Sequence, residues 1–170
     1  MKTYLCIMLF ALAAALAPSS ATAAPATSTL EVSTVGTGGR YAPKHVLAVW
    51  ITDHQNNLVK TVSVNAGKRK KYLENWISVA GKGATDGIVG ATLKEHAART
   101  FTWDGTGQDG QPVPPGVYHW HIEITDRNRT STVTPADHLA FTVGPEASTR
   151  SPADLENFKQ LKVTFSPATP

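Results

Sequence analysis

Residues Trp103–Thr125 read WDGTGQDGQPVPPGVYHWHIEIT, and this stretch decides the fold class. Its first half contains two Asp-Gly turn dipeptides and three prolines, which exclude a helix and favour an extended approach to the next element. From Val117 onward the side chains alternate with the period of a β-strand that has one buried face. We expect the core row of this strand to be formed by Tyr118, Trp120, Ile122 and Ile124.

β-Strand patterns continue on both sides of this stretch, and one segment interrupts them. His45–Thr52 is apolar on both faces, which predicts a central strand of a sheet. Lys68–Ala80 instead repeats its apolar residues at helical spacing, and Gly81 follows as a stop signal. The remaining strand predictions are Ser28–Val35, Leu58–Val64 and Arg99–Trp103, with inward rows at Leu139–Val143 and Leu161–Phe165.

The order of these elements predicts a mostly β protein, an Ig-like antiparallel β-sandwich with one inserted α-helix. No internal repeat or break in composition divides the chain, so we expect residues 24–170 to form a single domain. Four large aromatic side chains are expected to anchor its core, with a stacking surface for a sugar or flavin as the alternative. They are Trp50, Trp76, Trp103 and Trp120.

The first 23 residues have the composition of a secretory signal peptide. Lys2 gives the positive start, Leu5–Leu16 is almost wholly apolar, and Ala21-Thr22-Ala23 forms a small-x-small cleavage site. This segment is too short for a lasting membrane span, and no other segment is apolar and long enough to cross a bilayer. We therefore expect an exported periplasmic protein without stable membrane insertion.

The charge and cysteine content of the chain exclude several function classes. Cys6 is the only cysteine and lies in the predicted signal peptide, so the mature chain offers no thiolate nucleophile or disulfide. Removing Lys2 leaves 15 basic residues against 13 acidic ones, which does not indicate nucleic-acid binding. The local basic run Lys68–Lys71 is either a solvated helix end or a contact for an anionic partner. No serine has the sequence context of a catalytic triad, so we assign no catalytic residue.

Between the helical pattern and the next strand pattern lies the sequence TDGIVGAT, residues 85–92. Its Asp-x-x-x-Gly-Ala-Thr order resembles the acceptor of bacterial proteins that carry FMN through a phosphoester bond to threonine. The resemblance implies that Thr92 is the acceptor and that Asp86 helps to position the loop. It also implies that Gly90 and Ala91 leave room for a transferase to approach.

Val89 is the position where the chain departs from that acceptor pattern, which usually has Ser or Thr there. A motif of seven residues also has a plain structural interpretation. In that interpretation the segment is a helix-to-strand loop with a glycine turn.

A wider set of motifs resembles known families. The run Trp103–Tyr118 resembles the Ig-like module of flagellar hook-capping proteins, where such a run makes the turn into a core strand. The resemblance to a family of predicted periplasmic proteins of unsettled activity covers about Leu30–Val143 and implies a flavin transferase and a membrane electron-transfer protein as partners. Its motifs are Tyr41-Ala42-Pro43, Val49–Thr52, a helix with Tyr72-Leu73 and Trp76, Gly90-Ala91-Thr92 and Trp103-Asp104-Gly105.

His119, His121 and Glu123 share one face of the strand pattern, with successive residues roughly 6.5–7 Å apart. Two histidines at this spacing can bind copper or zinc if a neighbouring strand adds a ligand, and His45 and His138 are the candidates. We expect instead a solvent-facing polar stripe opposite the core row.

The resemblances therefore imply an exported accessory protein, an electron carrier with FMN attached at Thr92, which does not itself transform a substrate. One alternative is a flavin-free binding or structural module that docks a membrane partner. The other is a periplasmic copper- or zinc-binding protein that uses His119 and His121.

Overall fold

The computed structural model describes residues 25–81, 88–128 and 131–169, with the backbone alone at positions 88 and 89. The strands within these ranges are β1 (Thr27–Thr34), β2 (Val46–Asp53), β3 (Leu58–Asn65), β4 (Ile88–Gly90), β5 (Ala98–Trp103), β6 (Gly116–Thr125), β7 (Thr132–Val133), β8 (Ala140–Val143), β9 (Ser148–Arg150) and β10 (Phe158–Ser166). Helix α1 spans Glu74–Ala80, and two 3₁₀ helices span Gly67–Tyr72 and Ala136–Leu139. The predicted signal peptide, residues 1–23, lies outside the described residues.

The strands form two sheets that face each other. One sheet has the order β5-β1-β10-β9, and the other has the order β4-β3-β2-β6-β7 with β8 also paired to β6. The pairs are antiparallel except for β3 with β4, which is parallel. The mostly β antiparallel sandwich with one inserted α-helix is therefore confirmed, as is the central position of β2 between β3 and β6.

The stretch between β5 and β6 carries the chain from one sheet to the other. Thr106 and Pro112 form an isolated bridge across it, and Trp103 Nε1 donates a hydrogen bond to the Thr106 carbonyl at 2.8 Å. Gly105 has φ +73°, and a Cβ there would lie 2.8 Å from the carbonyl oxygen of Ala26. Only glycine meets both conditions without strain, so this turn depends on the Asp-Gly dipeptide.

The space between the sheets holds the larger apolar core. The predicted row of β6 points into it, and β2 adds its own alternate residues. Removing these side chains from water is the main stabilising term for such a domain. Its members include Leu30, Val32, Leu47, Val49, Ile51, Trp103, Tyr118, Trp120, Ile122, Ile124, Phe141, Phe158, Leu161, Val163 and Phe165.

A second apolar cluster lies on the outer face of the six-stranded sheet, under α1 and the preceding 3₁₀ helix. The alternate residues of β2 that point away from the sandwich pack there against the helical segment. Trp76 is 1% exposed, and its Nε1 donates to Thr61 Oγ1 at 3.1 Å. The buried members are Val46, Ala48, Trp50, Val64, Ala66, Leu73 and Trp76. All four tryptophans are thus core residues, as predicted.

The predicted helix Lys68–Ala80 is divided into a 3₁₀ helix and α1. Leu73 separates them with φ −90° and ψ 69°, outside helical values, and its amide donates to the Lys70 carbonyl at 3.0 Å. The helical spacing of the sequence is correct, but apolar periodicity does not distinguish a 3₁₀ turn from an α turn. Within the described ranges, no helix is both long and apolar enough to cross a bilayer.

The prediction that the polar row of β6 faces solvent is wrong. His121 is 4% exposed and Glu123 is 0% exposed. Helix α1 covers the middle of this face, and the 3₁₀ helix Ala136–Leu139 packs against β6 beside it. Strand alternation separates the two faces, but it does not reveal that a helix covers the second one.

Candidate functional site

The segment around Thr92 leaves the edge of the six-stranded sheet. β4 runs parallel to β3, with Asn65 opposite Gly90, and the chain then continues to Leu93. Leu93 forms an isolated bridge with His45, in which each amide donates to the other residue's carbonyl at 3.0 Å. The candidate acceptor is therefore held between two backbone attachments.

Thr92 itself is half-buried, and its neighbour Ala91 is exposed. Thr92 Oγ1 donates to the Ala66 carbonyl at 3.4 Å, which is long for a hydrogen bond between oxygen atoms. The position that a Cβ of Gly67 would take is 3.6 Å from the same oxygen. The hydroxyl thus lies beside the start of the 3₁₀ helix and has one weak partner among the described residues.

Gly90 has a packing role that the sequence did not reveal. A Cβ at this position would lie 2.1 Å from Asn65 Nδ2 and 3.2 Å from Asn65 Cγ. A larger residue there would force the Asn65 side chain to move, whether or not a transferase approaches. Asp86, the other predicted member of the site, lies outside the described residues.

The 3₁₀ helix beside Thr92 is strongly basic, with the sequence GKRKKY. Arg69 lies 4.4 Å above the ring of Tyr41 and donates to the Arg127 carbonyl at 2.8 Å. Arg40 also lies over Tyr41, at 5.2 Å. These cations make the surface around the 3₁₀ helix positive, and the first residue of that helix, Gly67, lies beside the Thr92 hydroxyl. A half-buried hydroxyl next to a basic helix is compatible with the phosphoester end of FMN.

Two histidines stack next to this segment. The rings of His45 and His96 are 3.9 Å apart and 7° from parallel. His45 Nδ1 donates to the Pro43 carbonyl at 3.1 Å, and His96 Nδ1 lies 3.2 Å from Thr34 Oγ1. The Nε2 atoms of both rings are buried without a hydrogen-bond partner among the described residues.

Burial lowers the pKa of His45 to about 4, and the pKa of His96 is lowered for the same reason. A buried imidazole loses the hydration that stabilises its charged form. Both rings are therefore neutral near pH 7.

His119 and His121, the candidate metal ligands, already have partners in the protein. His121 Nε2 lies 2.9 Å from Thr52 Oγ1, and its ring stacks on Trp50 at 5.0 Å. His119 Nδ1 donates to the Ala136 carbonyl at 2.9 Å. Burial lowers the pKa of His121 to about 4.

Within the described ranges, neither His45 nor His138 supplies a third ligand to these histidines. The register pairs His119 with Thr52 and Thr125 with Val46, so His45 lies beyond the opposite end of the strand pair. His138 is directed elsewhere, and its Nε2 donates to the Ala153 carbonyl at 2.8 Å. Among the described residues, no three His, Cys, Asp or Glu side chains are placed to hold one metal ion.

Glu123 has a structural role that the sequence did not indicate. Its carboxylate accepts hydrogen bonds from the backbone amides of Asn75 and Trp76, at 3.1 and 2.9 Å. Asn75 Nδ2 and the Ser131 hydroxyl also donate to it. Helix α1 has no side-chain cap of its own, so a strand residue satisfies its first amides. The only sequence signal was an acidic residue in an otherwise β-forming run.

Comparison with known proteins gives one match. A family model described as "Predicted periplasmic protein (DUF2271)" matches residues 19–152. No curated protein and no solved structure matches the chain. The matched segment ends before β10, which lies between β1 and β9 in the four-stranded sheet.

Proposed function

The chain belongs to this family of predicted periplasmic proteins, and from that premise we propose that it is an exported accessory protein carrying FMN on Thr92. Bound FMN would provide the redox chemistry, while the protein would set its exposure and surroundings. In this role the chain would pass electrons to or from a membrane electron-transfer protein. It would not transform a substrate itself.

The weakly bonded hydroxyl of Thr92 carries this proposal. Its side chain is half-buried beside an exposed Ala91, and its only described hydrogen bond is 3.4 Å long. Attachment of FMN would therefore remove only one weak hydrogen bond of the folded chain among the described contacts. The basic 3₁₀ helix begins at Gly67, beside the Thr92 hydroxyl, so the surface next to the attachment point carries positive charge.

The attachment reaction needs a flavin dinucleotide as donor, held by a flavin transferase. The Thr92 oxygen would attack the flavin-side phosphorus, forming an Oγ–P bond as the P–O bond of the anhydride breaks. AMP would leave, and the hydroxyl proton would pass to a base of the transferase. The step involves no oxidation or reduction. FMN would therefore join the protein through a phosphodiester, with the flavin in its original oxidation state.

The test is co-expression of the full chain with a periplasmic flavin transferase, followed by intact-mass measurement and in-gel fluorescence after denaturation. Wild type is expected to gain the mass of FMN less one water and to fluoresce. Thr92→Ala is expected to lose both signals, and Thr92→Ser to retain them. Thr102→Ala, at an exposed threonine of β5, is the matched control and is expected to be labelled normally.

Three further variants concern the residues that precede Thr92. Ala91→Val adds bulk at an exposed position and is expected to reduce labelling without changing stability. Gly90→Val is less informative, because its side chain would also clash with Asn65. Val89→Ser restores the residue type usual in acceptors and is expected to increase labelling.

Unlabelled wild type, in cells where a known acceptor is labelled, would refute the FMN proposal. The flavin-free binding module would then be the leading function. Labelling that persists in Thr92→Ala would place the attachment at another residue.

A further inference from the structure

The stacked pair of His45 and His96 joins the Thr92 segment to the sandwich. His45 directly precedes β2 and exchanges two backbone hydrogen bonds with Leu93, the residue after Thr92. His96 then stacks on the His45 ring, and Ala97 accepts a bond from the Thr34 amide at 3.3 Å. His45, His96 and Thr34 thus hold residues 93–97 against the sandwich, and the two imidazoles stack at the centre of these contacts.

This arrangement suits neutral imidazoles and not charged ones. His45 is 0% exposed, and its Nδ1 already donates to the Pro43 carbonyl. A second proton would go on Nε2, which is buried and has no acceptor among the described residues. Two protonated rings 3.9 Å apart would also repel each other.

Asp126 and Arg99 are the charged groups that face the pair. Asp126, just after β6, favours protonation of both rings, whereas Arg99, on β5, opposes it. The Asp126 carboxylate is already engaged by the amide and hydroxyl of Thr37. Its negative charge therefore lowers the free energy of protonating one ring, but it does not hydrogen-bond to the Nε2 atom of either ring.

We propose that His45 and His96 form a proton-operated latch on residues 91–97, closed when both rings are neutral and released when they are protonated. Acidification would free the backbone around Thr92 and leave the centre of the sandwich folded. The latch is a property of this chain alone and does not depend on flavin attachment. It would make access to the Thr92 hydroxyl greater in an acidic medium than in a neutral one.

The direction follows from proton linkage. In the released segment His45 would recover an ordinary pKa near 6.5, whereas in the closed segment its pKa is about 4. The released form therefore binds more protons below pH 6.5, and its population rises as pH falls. Between pH of about 7.5 and about 5, His45 alone increases the opening constant about 30-fold.

The Leu93 amide is the natural reporter, since it donates to the His45 carbonyl. We would measure its hydrogen exchange by NMR on the unflavinylated full chain, with a chelator present and intrinsic exchange rates corrected. Its protection is expected to fall about 30-fold or more on acidification over that range. The Trp120 amide, in the centre of the sheet, reports global unfolding, and its protection is also expected to fall because His121 and His45 take up protons when the chain unfolds. The latch requires the opening free energy at Leu93 to stay below that at Trp120 across the pH range, and equal opening free energies at the two amides would overturn it.

The double variant His45→Phe/His96→Phe keeps two stacked rings but cannot take up protons, so its Leu93 protection is expected to be independent of pH. If that variant does not fold, His96→Phe alone is expected to weaken the pH dependence. His54→Phe, at an exposed turn position, is the control and should leave it unchanged. Direct NMR titration of the two rings gives a second criterion, because ordinary pKa values near 6.5 would also refute the latch.

Discussion

The inner face of the six-stranded sheet is apolar in nearly every side chain, whereas its outer face combines a smaller apolar cluster with buried histidine, glutamate and threonine. On the inner face, Trp120 and Ile122 need only be removed from water. On the outer face, each buried polar atom needs a partner at a defined position. The inner face thus provides most of the stability, and the outer face determines where the helix lies.

Glu123 shows how the outer face determines this position. Its two carboxylate oxygens accept the amides of Asn75 and Trp76, at the start of α1. A helix of seven residues is marginal by itself, and α1 has no side-chain cap. Rotating or shifting α1 would leave both the carboxylate and the amides unsatisfied. The polar contacts therefore fix one orientation for the apolar side chains of the helix.

The largest expected effect belongs to the inner face. Trp120 is 0% exposed, and Trp120→Ala is expected to lower the free energy of unfolding by about 3–5 kcal/mol. Chemical denaturation measures this loss. Val117→Ala, on the same strand but 44% exposed, is the control and should cost less than about 1 kcal/mol. Similar losses in both variants would mean that the faces of β6 have been misassigned.

A smaller loss is expected on the outer face. Glu123→Ala removes the acceptor of a buried amide and is expected to cost about 2–3 kcal/mol. Glu74→Ala, at an exposed acidic residue in the first turn of α1, is the matched control. Far-UV circular dichroism and denaturation would be compared between the two. If Glu123→Ala is as stable as Glu74→Ala, α1 does not depend on the cap from β6.

The same contrast explains what could be predicted from the sequence. The inner row of β6 and the central strand β2 were found because apolar periodicity directly reports burial against a large core. The outer face could not be found, because His121 and Glu123 are buried through individual partners that lie far away in the chain. Their residue types indicate solvent equally well, so only the position of α1 reveals their burial.

The candidate site likewise combines residues that a local motif identifies with contacts that only the tertiary structure shows. A local motif in the sequence identifies Thr92 and Gly90. The side chain that fills the space next to Gly90, however, is that of Asn65 on another strand. The His45–His96 stack joins residues 51 positions apart, and neither histidine lies in a motif. Local patterns can nominate a reactive residue, whereas the contacts that hold it depend on tertiary structure.

His121 gives the outer face a pH dependence that the inner face lacks. Its pKa is about 4 in the folded chain and near 6.5 when unfolded, so the unfolded state binds more protons as pH falls below 6.5. The free energy of unfolding should therefore decrease as the pH falls from about 6.5 to about 4, and protonation of His121 should account for a loss of about 2 kcal/mol by pH 5. Denaturation of His121→Phe across this pH range is expected to show a loss smaller by that amount. An unchanged pH profile would contradict the lowered pKa of His121.

The smallest effect is expected at Thr92, which belongs to neither core. Its hydroxyl makes one long bond to the Ala66 carbonyl, and its side chain is half-buried. Thr92→Ala should therefore change the free energy of unfolding by less than about 0.5 kcal/mol.

Thr61→Ala is the comparison, because the Thr61 hydroxyl is buried and accepts the Trp76 Nε1 hydrogen bond under α1. Its removal should cost about 1–3 kcal/mol, since it leaves that donor unsatisfied. A loss at Thr92 as large as at Thr61 would mean that the hydroxyl is a structural group. A negligible loss, combined with failure of flavin labelling in the same variant, would separate the chemistry of Thr92 from the stability of the fold.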